Sequence, residues 1–171
     1  GQLGYGHTDI IGDNEVARAG VSIGGRAAAI SCGASHTCAL LEGGGVVCWG
    51  AGQAGRLGYR SENNIGDSEL PSSVGPVVIG SSARAVVAGH QLTCAIRGDG
   101  EVVCWGGTSY SLMVEGISNV GDDEDPWPAG RVAFEEPVRD LVLGAFSGAV
   151  VLSTGGAQTW GYSGSGVIGD G

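Results

Sequence analysis

Five cysteines, three histidines and several knots of carboxylates are the residues of this 171-residue sequence with chemistry to offer. Four cysteines form two equally spaced pairs, Cys38 with Cys48 and Cys94 with Cys104. Thiols so placed can bond to each other, bind a soft metal or fill a core. No Cys-x-x-Cys or His-x-x-x-His spacing supports zinc. The densest acidic knot, Asp122, Asp123, Glu124 and Asp125 after Gly121, offers the oxygens that calcium takes. It lacks the spacing of a known calcium loop, and no metal is expected there. Asp after Gly commonly bonds its own turn, which explains the knot without a ligand. Arg97-Gly98-Asp99 spells an integrin-binding tripeptide, here at a hairpin tip where Gly and Asp suit the turn. There is no serine nucleophile elbow and no phosphate-binding loop. An enzyme has no residues to stand on, and no cofactor is expected.

Composition sets the elements that hold these residues. Glycine accounts for 35 positions, yet 42% of the chain is apolar. Short blocks of Val, Ile, Ala and Leu between glycine turns predict an all-β chain. The net charge is −10, and its eight basic residues, all Arg, are scattered singly. Nucleic acid and anionic membranes need clustered cations, so both are poor partners. A basic protein partner is compatible with the charge. No apolar run approaches the roughly 18–20 residues of a membrane helix.

The chain repeats itself. Gly33, Thr37-Cys38-Ala39-Leu40 and Val46-Val47-Cys48-Trp49-Gly50 recur as Gly89, Thr93-Cys94-Ala95-Ile96 and Val102-Val103-Cys104-Trp105-Gly106. A weaker copy runs through Gly144, Ala149-Val150-Val151 and Gln158-Thr159-Trp160-Gly161. Glycine to tryptophan is 16 residues each time, and the tryptophans lie 56 and 55 residues apart. Ile11-Gly12-Asp13-Asn14-Glu15 returns as Ile65-Gly66-Asp67-Ser68-Glu69 and Val120-Gly121-Asp122-Asp123-Glu124. Gly1-Gln2-Leu3-Gly4 returns as Gly55-Arg56-Leu57-Gly58 and Gly166-Val167-Ile168-Gly169, with Ser111–Val114 standing where a further copy is due.

Residues 33–50 and 1–6 closely resemble the RCC1 repeat, Gly-x-x-His-Thr-Cys-Ala-Leu, Val-x-Cys-Trp-Gly and Gly-Gln-Leu-Gly-x-Gly. The third copy departs from it, lacking His-Thr-Cys at Ser147-Gly148-Ala149. The acidic Ile-Gly-Asp-Asn-Glu variety is most similar to repeats of secreted bacterial proteins. The resemblance implies a β-propeller of four-stranded antiparallel blades, about three of a seven-bladed ring. It also implies an inter-blade hydrogen bond for His36.

The hairpin around Glu42–Gly45 supports a stacked sheet on its own terms. With Cys38 opposite Cys48, one face reads Cys38, Leu40, Val46, Cys48 and the other Ala39, Leu41, Val47, Trp49. Two apolar faces need two covering neighbours. Opposed strand positions lie within disulfide reach, and both change together in the third copy, to Ala149 and Thr159. Cys38–Cys48 and Cys94–Cys104 are therefore the expected bonds, four reduced core thiols being the alternative. Bonded, they imply an oxidising compartment: extracellular, cell-surface or periplasmic. Cys32 reads as a small buried hydrophobe, with a bond to an unseen blade as the alternative.

The sequence thus predicts one incomplete propeller domain over 1–171, with repeats at about 1–50, 51–106 and 107–161 and a fourth beginning at 162–171. The first residues sit in mid-repeat, so the native N-terminus is expected elsewhere. The expected role is a non-enzymatic protein-binding scaffold using rim loops. Trp127, Asp122, Asp123, Asp125 and Tyr110 are the candidate partner-binding residues, within a divergent specificity loop from Thr108 to Arg131. Trp127 could instead cap the edge of the third blade. Alternatives are a structural subunit of an extracellular assembly or fibre, with self-association to complete a propeller, and two roles implied by the family: nucleotide-exchange factor and β-lactamase inhibitor.

Overall fold

A computed structural model describes residues 1–13, 16, 20–107 and 119–162. Glu15, Tyr110, 111–114 and 166–169 lie outside the described residues. Three antiparallel sheets follow one another along the chain. The first contains β1 (Ala27–Cys32), β2 (His36–Leu41) and β3 (Val46–Gly50). The second contains β4 (Ala83–Ala88), β5 (Leu92–Arg97), β6 (Val102–Gly106) and β7 (Arg131–Val132). The third contains β8 (Val138–Leu143), β9 (Ser147–Leu152) and β10 (Ala157–Gly161). These are blades of a partial propeller.

Register follows the apolar pattern. Cys38 pairs with Cys48, Ala39 with Val47 and Leu40 with Val46. Cys94 pairs with Cys104 in the same way. Both pairs are bonded, with S–S distances of 2.14 and 2.07 Å. Every leading strand breaks register at the same place, between Ala27 and Ala29, Ala83 and Ala85, and Val138 and Asp140. Such a bulge adds local twist, which stacked blades need.

Each sheet has a front and a rear. The rear of the first, with Cys38, Leu40, Val46 and Cys48, shares one buried cluster with Val86 and Ala88 on the front of the second. That cluster continues to Val138, Leu141 and Val150 on the front of the third. A fully buried side chain of this size stabilises by roughly 1.5–3 kcal/mol, so the joints carry most of the core.

Among the described residues only the second sheet has a fourth strand. In the first, Val77 N–H bonds Val46 O (2.8 Å), but Pro76 beside it has no N–H to extend a ladder. A side chain takes over: Tyr59 Oη accepts from Cys48 N–H (3.0 Å) and donates to Gly75 O (3.1 Å). The second sheet bonds directly there, Cys104 N–H to Gly130 O (2.8 Å).

Cys32 corrects the sequence reading. It is exposed, not buried. Its counterpart Ala88 is covered by the first sheet, while Cys32 stands on the front of that sheet, with no sheet before it among the described residues.

Candidate functional site: an acidic rim

The acidic turns sit where the strands end. Gly50 and Ile65 exchange backbone bonds of 2.7 and 3.0 Å, and Gly106 and Val120 repeat the exchange at 2.8 and 3.2 Å. Each bridge aims the following Gly-Asp turn outward. Gly66 N–H donates to Glu69 Oε1 (3.0 Å), and Gly121 N–H to Glu124 Oε1 (3.1 Å). The turn is therefore closed by the glutamate three residues on. The aspartate bonds within the turn as read from sequence, Asp67 accepting from Asn64 Nδ2 (3.3 Å) and Ser68 Oγ (3.5 Å), but the glycine N–H goes to the glutamate.

These turns rest on the other repeated anchor, a contact that sequence comparison alone missed. Gly55 and Gly121 both have positive φ, and a Cβ on Gly55 would lie 2.4 Å from Asp122 N. Only glycine allows that approach. Gly1 and Gly66 nest likewise, a Cβ on Gly66 falling 2.6 Å from Gly1 O. The two anchors are one device.

The device holds carboxylates at the surface. Asp122, Asp123 and Glu124 place ligand oxygens within 4.8 Å of one another. Burial raises the Glu124 pKa above the ordinary carboxylate range, helped by its hydrogen bond to Asp123 and the charge of Asp122. Glu62, Asp67 and Glu69 extend the same rim, and Arg60 stands exposed among them, its Nε donating to Asp123 O (3.3 Å). Arg56 is buried beneath, with Nε on Gln53 O (2.8 Å), and burial lowers its pKa.

Trp127 lies elsewhere. It is half-buried at the hairpin-tip end of the second blade, while the acidic turns follow Gly50 and Gly106 at the opposite strand ends. A Cβ on Gly80 would be 2.7 Å from its ring, and Arg97 Cζ stands 3.9 Å from the ring centroid. Its short helix, Pro126–Ala129, leads into β7, so Trp127 closes the second blade and not the edge of the third. Arg97 is also bonded to Ser81 Oγ (2.8 Å), Glu101 (2.7 Å) and Asp99 (3.2 Å). The tripeptide arginine is structural. Of the candidate binding residues, the structure brings together Asp122 and Asp123, with Glu124 as their third member, while Asp125 stands at the N-cap of the short helix that carries Trp127 towards the other end of the blade.

Clefts of about 160 Å³ beside Glu101 and Phe134, and about 280 Å³ beside His7 and Ile10, fall below the usual size of small-molecule sites. No helix among the described residues is long and apolar enough to cross a membrane.

Residues 27–56 match the family model described as regulator of chromosome condensation (RCC1) repeat. Residues 27–56 thus carry an RCC1 repeat. The chain is 29% identical over 172 residues to the ultraviolet-B receptor UVR8 of Arabidopsis thaliana, covering 99% of itself and 37% of that protein. It spans about a third of the length of the curated relatives it matches first. Human WBSCR16 superposes with a TM-score of 0.69 at 20% identity, over 94% of this chain and 41% of that one. Yeast RCC1 (Prp20), solved bound to Kap60, gives 0.65 at 17% identity over 85% and 34%. A second structure of Prp20p, described with its binding to Gsp1p and histones, gives 0.63 at 20% identity over 85% and 35%. At such identities the solved structures establish the fold alone: an RCC1-type propeller segment.

Proposed function

We propose that this chain is a non-enzymatic scaffold, secreted or surface-exposed, that binds a basic protein through its acidic rim. The carrying observation is the nested glycine device, which presents the carboxylates of Asp122, Asp123 and Glu124 together on a rigid blade end. A rim of one sign steers an oppositely charged partner and speeds its encounter. The two disulfides support an oxidising address. Yeast RCC1, a neighbour in fold, is described as binding histones, which supports a basic partner.

The test uses core histones as a defined basic probe, measured by biolayer interferometry against the immobilised chain. Binding should weaken steeply from about 50 to about 300 mM salt as screening tightens. The Asp122→Asn/Asp123→Asn variant should bind several-fold more weakly, mainly through a slower on-rate. Binding indifferent to both salt and substitution, or no binding at low salt, overturns the reading.

A further inference from the structure

The hairpin tip of the second blade and the linker that follows β7 are acidic, and their counterparts in the other blades are not. Val138 N–H bonds the tip carbonyl Gly100 O (2.9 Å) as Ala83 N–H bonds Gly44 O (2.8 Å), so the two interior joints align residue by residue. Asp99 and Glu101 flank Gly100, where Gly43 and Gly45 flank Gly44, and Thr154 and Gly156 flank Gly155. In the linker, Glu135 and Glu136 stand where the first joint has Gly80 and Ser81. A hairpin and a joint therefore form without these four carboxylates.

They line the cleft of about 160 Å³ between that hairpin tip, β7 and residues 133–137. A cavity of roughly 150 Å³ admits a benzene-sized guest, so this one has room for a single side chain. Val102, Val132 and Phe134 give it apolar surface. Two of its carboxylates are already answered: Glu101 pairs with Arg131 (2.7 Å) and Arg97 (2.7 Å), and Asp99 with Arg97 (3.2 Å). Glu136 accepts from Ser153 Oγ (3.2 Å) and Thr154 N–H (3.3 Å) but meets no cation among the described residues. Glu135 has neither a hydrogen bond nor an ion pair among them. Two negative charges are thus left over beside apolar walls. Those walls are fixed, since β7 pairs with β6, Arg131 is tied to Glu101, and Ser153 N–H holds Pro137 O (2.9 Å). The cleft lies at an interior joint with both of its sheets in place, and owes nothing to the sheet faces at either end of the stack.

We propose that this cleft takes a single basic side chain of a partner protein. The aliphatic stem of such a side chain lies on Val102, Val132 and Phe134 while its charged head meets Glu135 and Glu136. A neutral side chain leaves both carboxylates uncompensated, and an acidic one is repelled. A preformed pocket filled by one side chain is the form that interface anchors commonly take. The cleft sits at the hairpin-tip end of the second blade, opposite the acidic turns, and so stands apart from the reading of that rim.

Amide NMR of the isotope-labelled 171-residue chain tests this. The probe is the capped peptide acetyl-Gly-Arg-Gly-amide, and the control is its citrulline counterpart, which keeps the shape and lacks the charge. At low salt the arginine peptide should shift the amides of Gly100, Glu101 and residues 133–136 saturably, and the citrulline peptide should bind several-fold more weakly. Glu135→Gln/Glu136→Gln removes both charges and leaves Ser153 and Thr154 an amide oxygen to bond. Its spectrum should report an unchanged fold, and its affinity for the arginine peptide should fall several-fold. Asp122→Asn/Asp123→Asn alters only the rim and should titrate like the parent at the cleft amides. Absent or unsaturable shifts at the cleft, equal binding of the two peptides, or parent-like affinity in the Glu135/Glu136 variant each overturn the proposal. Cleft shifts that vanish in the rim variant overturn it as well, by assigning the peptide to the rim.

Discussion

His36 Nε2 lies 2.8 Å from Thr93 Oγ1, across the joint between the first and second blades and 57 residues away in sequence. The Thr93 hydroxyl donates its proton to Arg56 O (2.9 Å), so its oxygen must accept from His36. That assigns the hydrogen to Nε2 and leaves Nδ1 bare, buried and without a hydrogen-bond partner. Protonation would put a charge in this joint. Burial, with the nearby Arg56 charge second, lowers the His36 pKa from 6.5 to about 4.

The sign of the resulting pH dependence follows. Between pH 6.5 and about 4 the unfolded chain binds a proton at His36 that the folded chain refuses. Stability from this group is complete above the unfolded value, is lost as pH falls towards the folded value, and is flat below it. The shift corresponds to about 3 kcal/mol. His36→Leu, the residue type that the second blade carries at Leu92, removes the titration and leaves Thr93 bonded to Arg56 O. Urea unfolding at pH 7.5 and 4.5 should show the parent losing about 2–3 kcal/mol more than the variant. Equal losses would sink the assignment.

Tyr59 offers a test of the side chain that substitutes for a strand. Its hydroxyl satisfies Cys48 N–H and Gly75 O at once, and burial pushes its pKa up to about 12 despite the bond from Cys48. Tyr59→Phe keeps the ring and strands both backbone groups. The expected cost is about 1–3 kcal/mol, with faster amide exchange at Cys48 than at Cys104. If Cys48 exchanges no faster in the variant than in the parent, the hydroxyl is not its partner.

Arg97 separates two readings of one tripeptide. Held by Ser81, Glu101 and Asp99 and stacked on Trp127, the guanidinium is not available to an adhesion receptor. Arg97→Ala should lower stability by about 2 kcal/mol and change Trp127 fluorescence, while cell adhesion to the parent stays at background. Arg97→Lys should recover little, because a point charge cannot repeat the fork. Adhesion blocked by an Arg-Gly-Asp peptide would reverse this conclusion.

What could be read in the sequence was what a short stretch settles by itself. Cys38 opposite Cys48 follows from one hairpin's alternation, and Trp49, Trp105 and Trp160 recur because each blade needs the same packing. The features missed or misread all depend on distant chain. Gly55 nests on Asp122 across 67 residues, and Tyr59 replaces a strand that Pro76 prevents. Neither leaves a local pattern. Cys32 reads in sequence as a small buried hydrophobe, but burial at that position comes from a sheet in front, as at Ala88, and among the described residues none lies in front of the first sheet. Trp127 lies within the third repeat as read from sequence but folds back, because β7 pairs with β6.

The disulfides yield the last prediction, and the third blade supplies its design. Evolving the second blade towards the third means Cys94→Ala with Cys104→Thr, the residue types at Ala149 and Thr159. Each bond joins cysteines 10 residues apart in sequence. Loop entropy assigns such a short loop about 2–3 kcal/mol, so the double variant should unfold at lower denaturant by that amount. Reductant should lower the parent at least as far and the variant less, since only Cys38–Cys48 remains to be broken. Thiol titration of the unreduced, denatured parent should find Cys32 alone, and because Cys32 is exposed the native chain should react equally. Five reactive thiols in the unreduced chain would show that both cross-strand pairs exist as thiols packed in contact, and the case for an oxidising compartment would go with them.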